Sequence, residues 1–319
     1  AVFDVNFRNG NTDTYEFTGQ LSAFSGLEFM AEGPISRKNN SSFVASYRYG
    51  IASLAATGTS AIPFYQDFSF KANLGESKIG KFELFGMGGL SSIDFKGADI
   101  DETDLFANPN QDAYIDNQLG LLGLNHTLRI NQTTFLKSSW GASTNYNEYL
   151  QDNIIADNSG NPTGLYRATN VKNRENRYTF STTLNKKFNA RWSMRAGLLN
   201  EYYDANLFTN DRDNRVNIPD ADNDGVPDYF TTIRDLNEGY NVSQLYAQAE
   251  HKITDNVSVT AGLHTLYHDY TKKSMVEPRA AVSWQARPNQ RWSVAYGLHG
   301  QSIPSPILFF EEETSPGVF

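Results

Sequence analysis

The chain has 319 residues, 39% of them hydrophobic and 20% charged, and no stretch approaches the ~20 consecutive apolar residues of a membrane-crossing helix, so a helical membrane bundle is excluded. Aromatic residues make up 13%, which disordered chains lack, and a composition rich in Tyr, Phe, Thr, Ser, Asn and Gly but modest in Leu and Ile suits an all-β protein. A net charge of -9 without a basic cluster excludes nucleic acid as a partner, and the lack of cysteine removes disulfides, thiolate metal sites and Cys nucleophiles.

Taken in chain order, Ala1-Val2-Phe3 is already in strand pattern with no signal peptide before it, and Val318-Phe319 sit in a loop-like stretch. Both ends are therefore expected to be truncated. Period-two alternation then recurs in thirteen segments, near 14–23, 25–33, 41–54, 65–75, 81–95, 117–130, 133–147, 176–188, 190–203, 241–252, 256–270, 277–287 and 291–301. In the eleventh, Val257, Val259, Ala261, Leu263 and Tyr267 oppose Ser258, Thr260, Gly262, His264 and His268. In the last, Trp292, Val294, Tyr296 and Leu298 oppose Arg291, Ser293, Ala295 and His299. A strand sends alternate side chains to opposite faces, so each segment has one apolar and one polar face. Several exceed ten residues, enough for the ~9–11 that a tilted strand needs to cross a bilayer.

The connections alternate in length. Short ones, such as 36–40, 75–78, 131–132, 189–190, 254–256 and 287–290, carry the Asn, Asp, Gly and Pro of tight hairpins. Mostly long ones fall between them, at 55–64, 96–116, 148–175, 204–240 and from 302 onward. Short turns on one rim and long loops on the other describe an outer-membrane β-barrel; soluble propeller or lectin repeats would recur at a fixed period, and none does. The fold class expected is all-β: a transmembrane antiparallel up-and-down β-barrel. Thirteen strands cannot close such a barrel, which takes an even number, and an open edge in lipid would strand unpaired backbone groups. Further strands are expected beyond Phe319.

Three stretches resemble TonB-dependent receptors, in their Bacteroidota-type form. Ala1-Val2-Phe3-Asp4-Val5-Asn6-Phe7-Arg8-Asn9-Gly10 resembles the closing strand of the plug domain. Glu32-Gly33-Pro34-Ile35 with Phe43-Val44-Ala45-Ser46-Tyr47-Arg48-Tyr49 resembles the first barrel hairpins. Val276-Glu277-Pro278-Arg279 with Tyr296-Gly297-Leu298-His299-Gly300-Gln301 resembles a later strand pair. The resemblance implies a 22-stranded barrel, of which residues 1–13 end the plug and 14–319 supply about thirteen strands. It also implies import of a large or scarce nutrient (a siderophore, vitamin, glycan or peptide), energised by the TonB complex through a segment upstream of Ala1. Outer-membrane lipid and lipopolysaccharide are the expected surroundings, and a surface lipoprotein partner is left open. On this mapping Glu16, Thr18, Gln20 and Ser22 face the lumen and Tyr15, Phe17 and Leu21 face lipid. Tyr15, Tyr202, Tyr203 and Trp292 are expected in the interfacial girdles.

One motif carries metal chemistry: Asp220-Ala221-Asp222-Asn223-Asp224-Gly225-Val226-Pro227-Asp228. Carboxylates at positions one, three, five and nine, a Gly at six and the Val226 carbonyl at seven match the first part of a Ca2+ loop. Position twelve is Thr231 and not the bidentate Glu, so the loop looks more like those of thrombospondin type 3 repeats. The expected ligands are Asp220, Asp222, Asp224, Val226 and Asp228, in an extracellular loop that the ion would stiffen; the alternative is a solvated acidic loop. His264 and His268 share a face but stand ~13 Å apart along a strand, too far for one metal. Glu311-Glu312-Glu313 reads as a solvated acidic run. No catalytic constellation is present: Gly86-Met87-Gly88-Gly89 lies in a strand, and nucleophile-elbow spacing is absent. The chain is read as a receptor fragment, with a passive porin, a structural component of an envelope complex and a soluble calcium-binding β-protein as rivals.

Overall fold

The computed structural model describes residues 6–22, 26–50, 62–97, 108–157, 159, 161–212, 226 and 228–309. Within them the chain forms one antiparallel sheet of thirteen strands in strict sequence order. The strands are β1 (Glu16–Ser22), β2 (Gly26–Ser36), β3 (Ser41–Tyr49), β4 (Ile62–Ser77), β5 (Gly80–Phe95), β6 (Gln111–Asn131) and β7 (Thr134–Ala156). They continue as β8 (Pro162–Lys187), β9 (Trp192–Asp211), β10 (Thr231–Lys252), β11 (Val257–His268), β12 (Lys273–Arg287) and β13 (Gln290–Gly297). Each pairs with its sequence neighbours, and among the described residues β1 and β13 each have a partner on one side only.

The two faces differ as the alternation requires. Phe17, Leu21, Val294 and Tyr296 are 69%, 71%, 77% and 76% exposed, and no second sheet covers them among the described residues. In water such a surface would drive association; against acyl chains it is the solvated side. That observation removes the soluble sandwich. The other face is polar and laced with cross-strand ion pairs: Arg48–Asp67 (2.7 Å), Lys71–Glu83 (3.1 Å) and Arg177–Glu201 (3.5 Å). Register places all six on the same side, opposite to Phe17 and Leu21.

Aromatic residues mark the edges of the apolar band. On the rim with tight turns, Trp192 stacks on His251 at 4.1 Å and Phe82 on His126 at 4.4 Å. On the opposite rim Tyr178 stacks on Tyr202 at 6.3 Å and Tyr49 meets Phe64 edge-on at 5.5 Å. Trp192 and Tyr202 are ten residues apart on β9, within the ~9–11 residues of a tilted spanning strand. Tyr203 departs from the girdle position expected for it. Its neighbour Tyr202 points out, so alternation turns Tyr203 inward, where it stacks on Tyr240 at 4.9 Å.

The strands run well past that band. β8 has 26 residues and begins at Pro162; β7 reaches Ala156, β9 reaches Asp211 and β10 starts at Thr231. Much of the loops expected at 148–175 and 204–240 is thus paired strand. From Tyr178 back to Pro162 is about 50 Å of strand standing clear of the apolar band, at ~3.3 Å per residue. At the other rim, side chains fold the turns: Asn131 Oδ1 accepts from Thr133 N–H (2.9 Å) and Asn189 Oδ1 from Trp192 N–H (2.9 Å). Gly75 takes φ +77° at the irregularity before the β4–β5 turn, a conformation that favours glycine.

Candidate functional site: the inner wall

Two features mark the polar face: a segment of the chain that lies on it and a cleft that opens in it. The first is the stretch from Phe7 to Asn11. Arg8 donates two 2.6 Å bonds to the Glu32 carboxylate, which also accepts Asn11 N–H at 2.8 Å. Lys71 donates to the Phe7 carbonyl (3.1 Å), and the Phe7 ring meets Phe85 at 6.1 Å. Glu32, Lys71 and Phe85 all point from β2, β4 and β5 to the ion-paired face, so this stretch runs inside. The hydrogen bonds to Glu32 raise the Arg8 guanidinium above its ordinary pKa, and it stays charged at any physiological pH.

The second feature is a cleft of about 930 Å³ between β6 and β12. Its polar lining includes Asn117, Asn147, Asn173, Glu175, Glu201 and Glu277, with Arg177 and Arg279 among them. Asn147 bonds Asn117 at 2.5 Å, while Asn173 Oδ1 is buried with no hydrogen-bond partner. His264 spans Glu277 (2.9 Å) and Gln244 (3.0 Å), and Arg279 pairs with Glu277 at 2.5 Å. Glu277 is 3% exposed and carries three donors, the third being Gly300 N–H, so its charge is compensated in place. Beside these groups sits an apolar floor: Ala205, Leu207, Tyr240, Val242 and Leu266, the buried hydrophobic cluster of the described residues. His268 extends it by stacking on Tyr240 at 5.0 Å.

The expected metal ligands fall differently. Asp220, Asp222 and Asp224 lie outside the described residues. Val226 is 8% exposed and Asp228 is exposed, and Thr231 opens β10 almost fully buried. Among the described residues no group of three or more His, Asp and Glu is placed to hold a metal. His264 and His268 do separate jobs, one in a hydrogen-bond network and one in a ring stack. Glu277 and Arg279 carry no chemical motif in the sequence, although alternation around the outward Val276 turns both inward.

An uninterrupted antiparallel meander with an apolar outer band, a polar ion-paired inner wall and tight turns on one rim is a barrel wall. The profile of the β-barrel of TonB-dependent receptor-like proteins matches residues 57–308, more than half of the chain. The chain belongs to the TonB-dependent receptor family. This places it in the bacterial outer membrane, in a family of transporters and receptors, not of enzymes. Solved members share the fold at low identity. The outer membrane transporter YddB from Escherichia coli is 16% identical with a TM-score of 0.58, over 85% of this chain and 38% of that one. A variant of the ferric enterobactin receptor PfeA from Pseudomonas aeruginosa, in complex with enterobactin, is 10% identical with a TM-score of 0.55, over 90% and 44%. FpvA of P. aeruginosa, bound to a heterologous pyoverdine, is 12% identical with a TM-score of 0.53, over 86% and 41%. This chain thus spans about two fifths of the length of these receptors. No curated protein matches it in sequence.

Proposed function

We propose that this receptor barrel takes up a large or scarce nutrient across the outer membrane, energised by the TonB complex through a segment preceding these residues. The observation that carries the reading is the inner wall. It offers amides, carboxylates and guanidiniums around a cleft of about 930 Å³, large enough to engage a bulky ligand at many points. Residues 1–13 are then the end of a plug domain, consistent with Arg8 and Asn11 gripping Glu32 from within the lumen. The remaining barrel strands belong to the rest of the protein, in keeping with the two fifths of receptor length spanned here.

The cargo belongs to the siderophores, vitamins, glycans or peptides. Lipid and lipopolysaccharide surround the outer band, and the tall β7–β8 wall offers a seat for a surface lipoprotein. We also propose that Asp220, Asp222, Asp224, the Val226 carbonyl and Asp228 bind Ca2+ and stiffen the loop between β9 and β10; millimolar extracellular calcium suffices for such a loop. Uptake is tested in cells carrying the full-length gene. Accumulation of cargo that stops when TonB is deleted supports the reading, whereas accumulation that continues without TonB marks a passive pore and overturns it.

A further inference from the structure

After β13 the chain turns back over the inner wall. Leu298 N–H bonds the Pro278 carbonyl at 3.1 Å, and Gly300 N–H is taken by the Glu277 carboxylate. The Ser305 hydroxyl donates to Glu175 on β8. One helical turn, α1 (Ser305–Leu308), then delivers Phe309 to the apolar floor. Phe309 is 5% exposed: its ring lies tilted against Tyr240 at 5.7 Å and edge-on to Tyr270 at 4.7 Å. Leu308 and Met275 pack around the same cluster.

This apolar floor faces away from lipid, and Phe309 of the returning segment completes it as one buried cluster. It sits on a wall otherwise made of amides and ion pairs, and it stays dry because the returning segment covers it. The covering contacts are those of a bound peptide. One carboxylate captures a main-chain amide, a second captures a hydroxyl four residues before the anchor, and an aromatic side chain fills the pocket. Three carboxylates face two guanidiniums in the lining, a balance that favours amide, hydroxyl or ammonium donors over an anionic ligand.

We propose that the Tyr240–Leu266 floor with Glu175 and Glu277 is a binding site for a peptide bearing a bulky apolar or aromatic residue, and that residues 298–309 are its built-in occupant, which arriving cargo displaces. The proposal deepens the uptake reading by naming the cargo class, and it rests on that reading only for the fate of the peptide after binding. An occupant tethered by a few residues competes at roughly millimolar effective concentration, so the untouched receptor masks its own site.

The test uses the full-length receptor in detergent and a fluorescein-labelled decapeptide with the sequence of residues 300–309. Phe309→Ala, which empties the pocket, is expected to bind the decapeptide at least tenfold more tightly than the wild type. The gain is expected to vanish when Tyr240→Ala is added, and when the peptide's final Phe is exchanged for Gln. Heat-modifiable migration on gels confirms that each variant is assembled. Should Tyr240→Ala not assemble, Leu266→Gln, which makes the floor polar at similar volume, replaces it. Equal binding by wild type and Phe309→Ala, or a gain that survives the damaged floor, overturns the proposal. A decapeptide that binds as expected but is never accumulated by TonB-competent cells leaves the site standing and removes peptide as the imported cargo; TonB-dependent accumulation with no gain in Phe309→Ala overturns the site and leaves the uptake reading standing.

Discussion

Leu263 gives the sharpest test of which face meets lipid. It points outward from β11, four residues from Tyr267 at one end of the apolar band and six from Val257 at the other, and is 48% exposed. Leu263→Arg therefore places a guanidinium near the hydrocarbon midplane, where such a substitution costs ~2–4 kcal/mol. At 1.4 kcal/mol per factor of ten, the ratio of folded to unfolded protein falls by roughly 30- to 1,000-fold. Thr260 lies three residues away on the same strand but faces the lumen, opposite Glu250. Thr260→Arg meets water and a carboxylate there and is expected to change stability by less than about 1 kcal/mol. Both variants of the full-length protein are refolded into lipid vesicles and titrated with denaturant, with tryptophan fluorescence as the signal. Equal losses at the two positions, or a larger loss at Thr260, would refute the assignment of faces and with it the membrane reading.

Other outcomes follow from the same geometry. Gly86→Val sets a Cβ 2.6 Å from the Phe70 ring and 3.0 Å from the Leu121 carbonyl, so overpacking is expected to cost about 1–3 kcal/mol, read as a lower temperature of barrel melting on heat-modifiability gels. Arg8→Ala leaves Glu32 with Asn11 N–H as its remaining donor from the lumenal stretch and is expected to speed amide exchange in residues 6–13. The stability loss stays near ~1 kcal/mol because Arg8 is more than half exposed. If calcium stiffens the β9–β10 loop, limited proteolysis between 212 and 230 accelerates on adding EDTA, and Asp222→Ala abolishes the protection; cleavage indifferent to both counts against the ion.

The strand count and the lipid-facing residues were legible in the sequence because inside the bilayer one face must be apolar and the other must not, which writes a period of two into segments such as 256–270 and 291–301. The heights of β7 to β10 were not. Beyond Tyr178 and Tyr202 the outer face no longer meets lipid, so residues such as Asn173, Glu175 and Asn176 carry no apolar–polar alternation and read as loop. Tyr203 shows the same limit at one residue: a Tyr beside a Tyr reads as a girdle, and only strand register turns it inward. The inner-wall site was written in single residues, Glu175, Tyr240 and Glu277, scattered over three strands. Nothing local marks their convergence; it arises from the pairing of β8 through β12 and from a segment that returns to cover them.

The strict nearest-neighbour order of the sheet has a kinetic consequence. Among the described residues every ladder joins strands linked by one turn or loop, so none of these twelve pairings must first close a circuit through the whole chain, and the entropic toll of each stays that of one connection. Growth can proceed hairpin after hairpin, each newly formed edge templating the next arrival. The vulnerable species along that route is always the leading edge, a single row of unsatisfied amides and carbonyls that a folding catalyst at the membrane has only to shield one strand at a time.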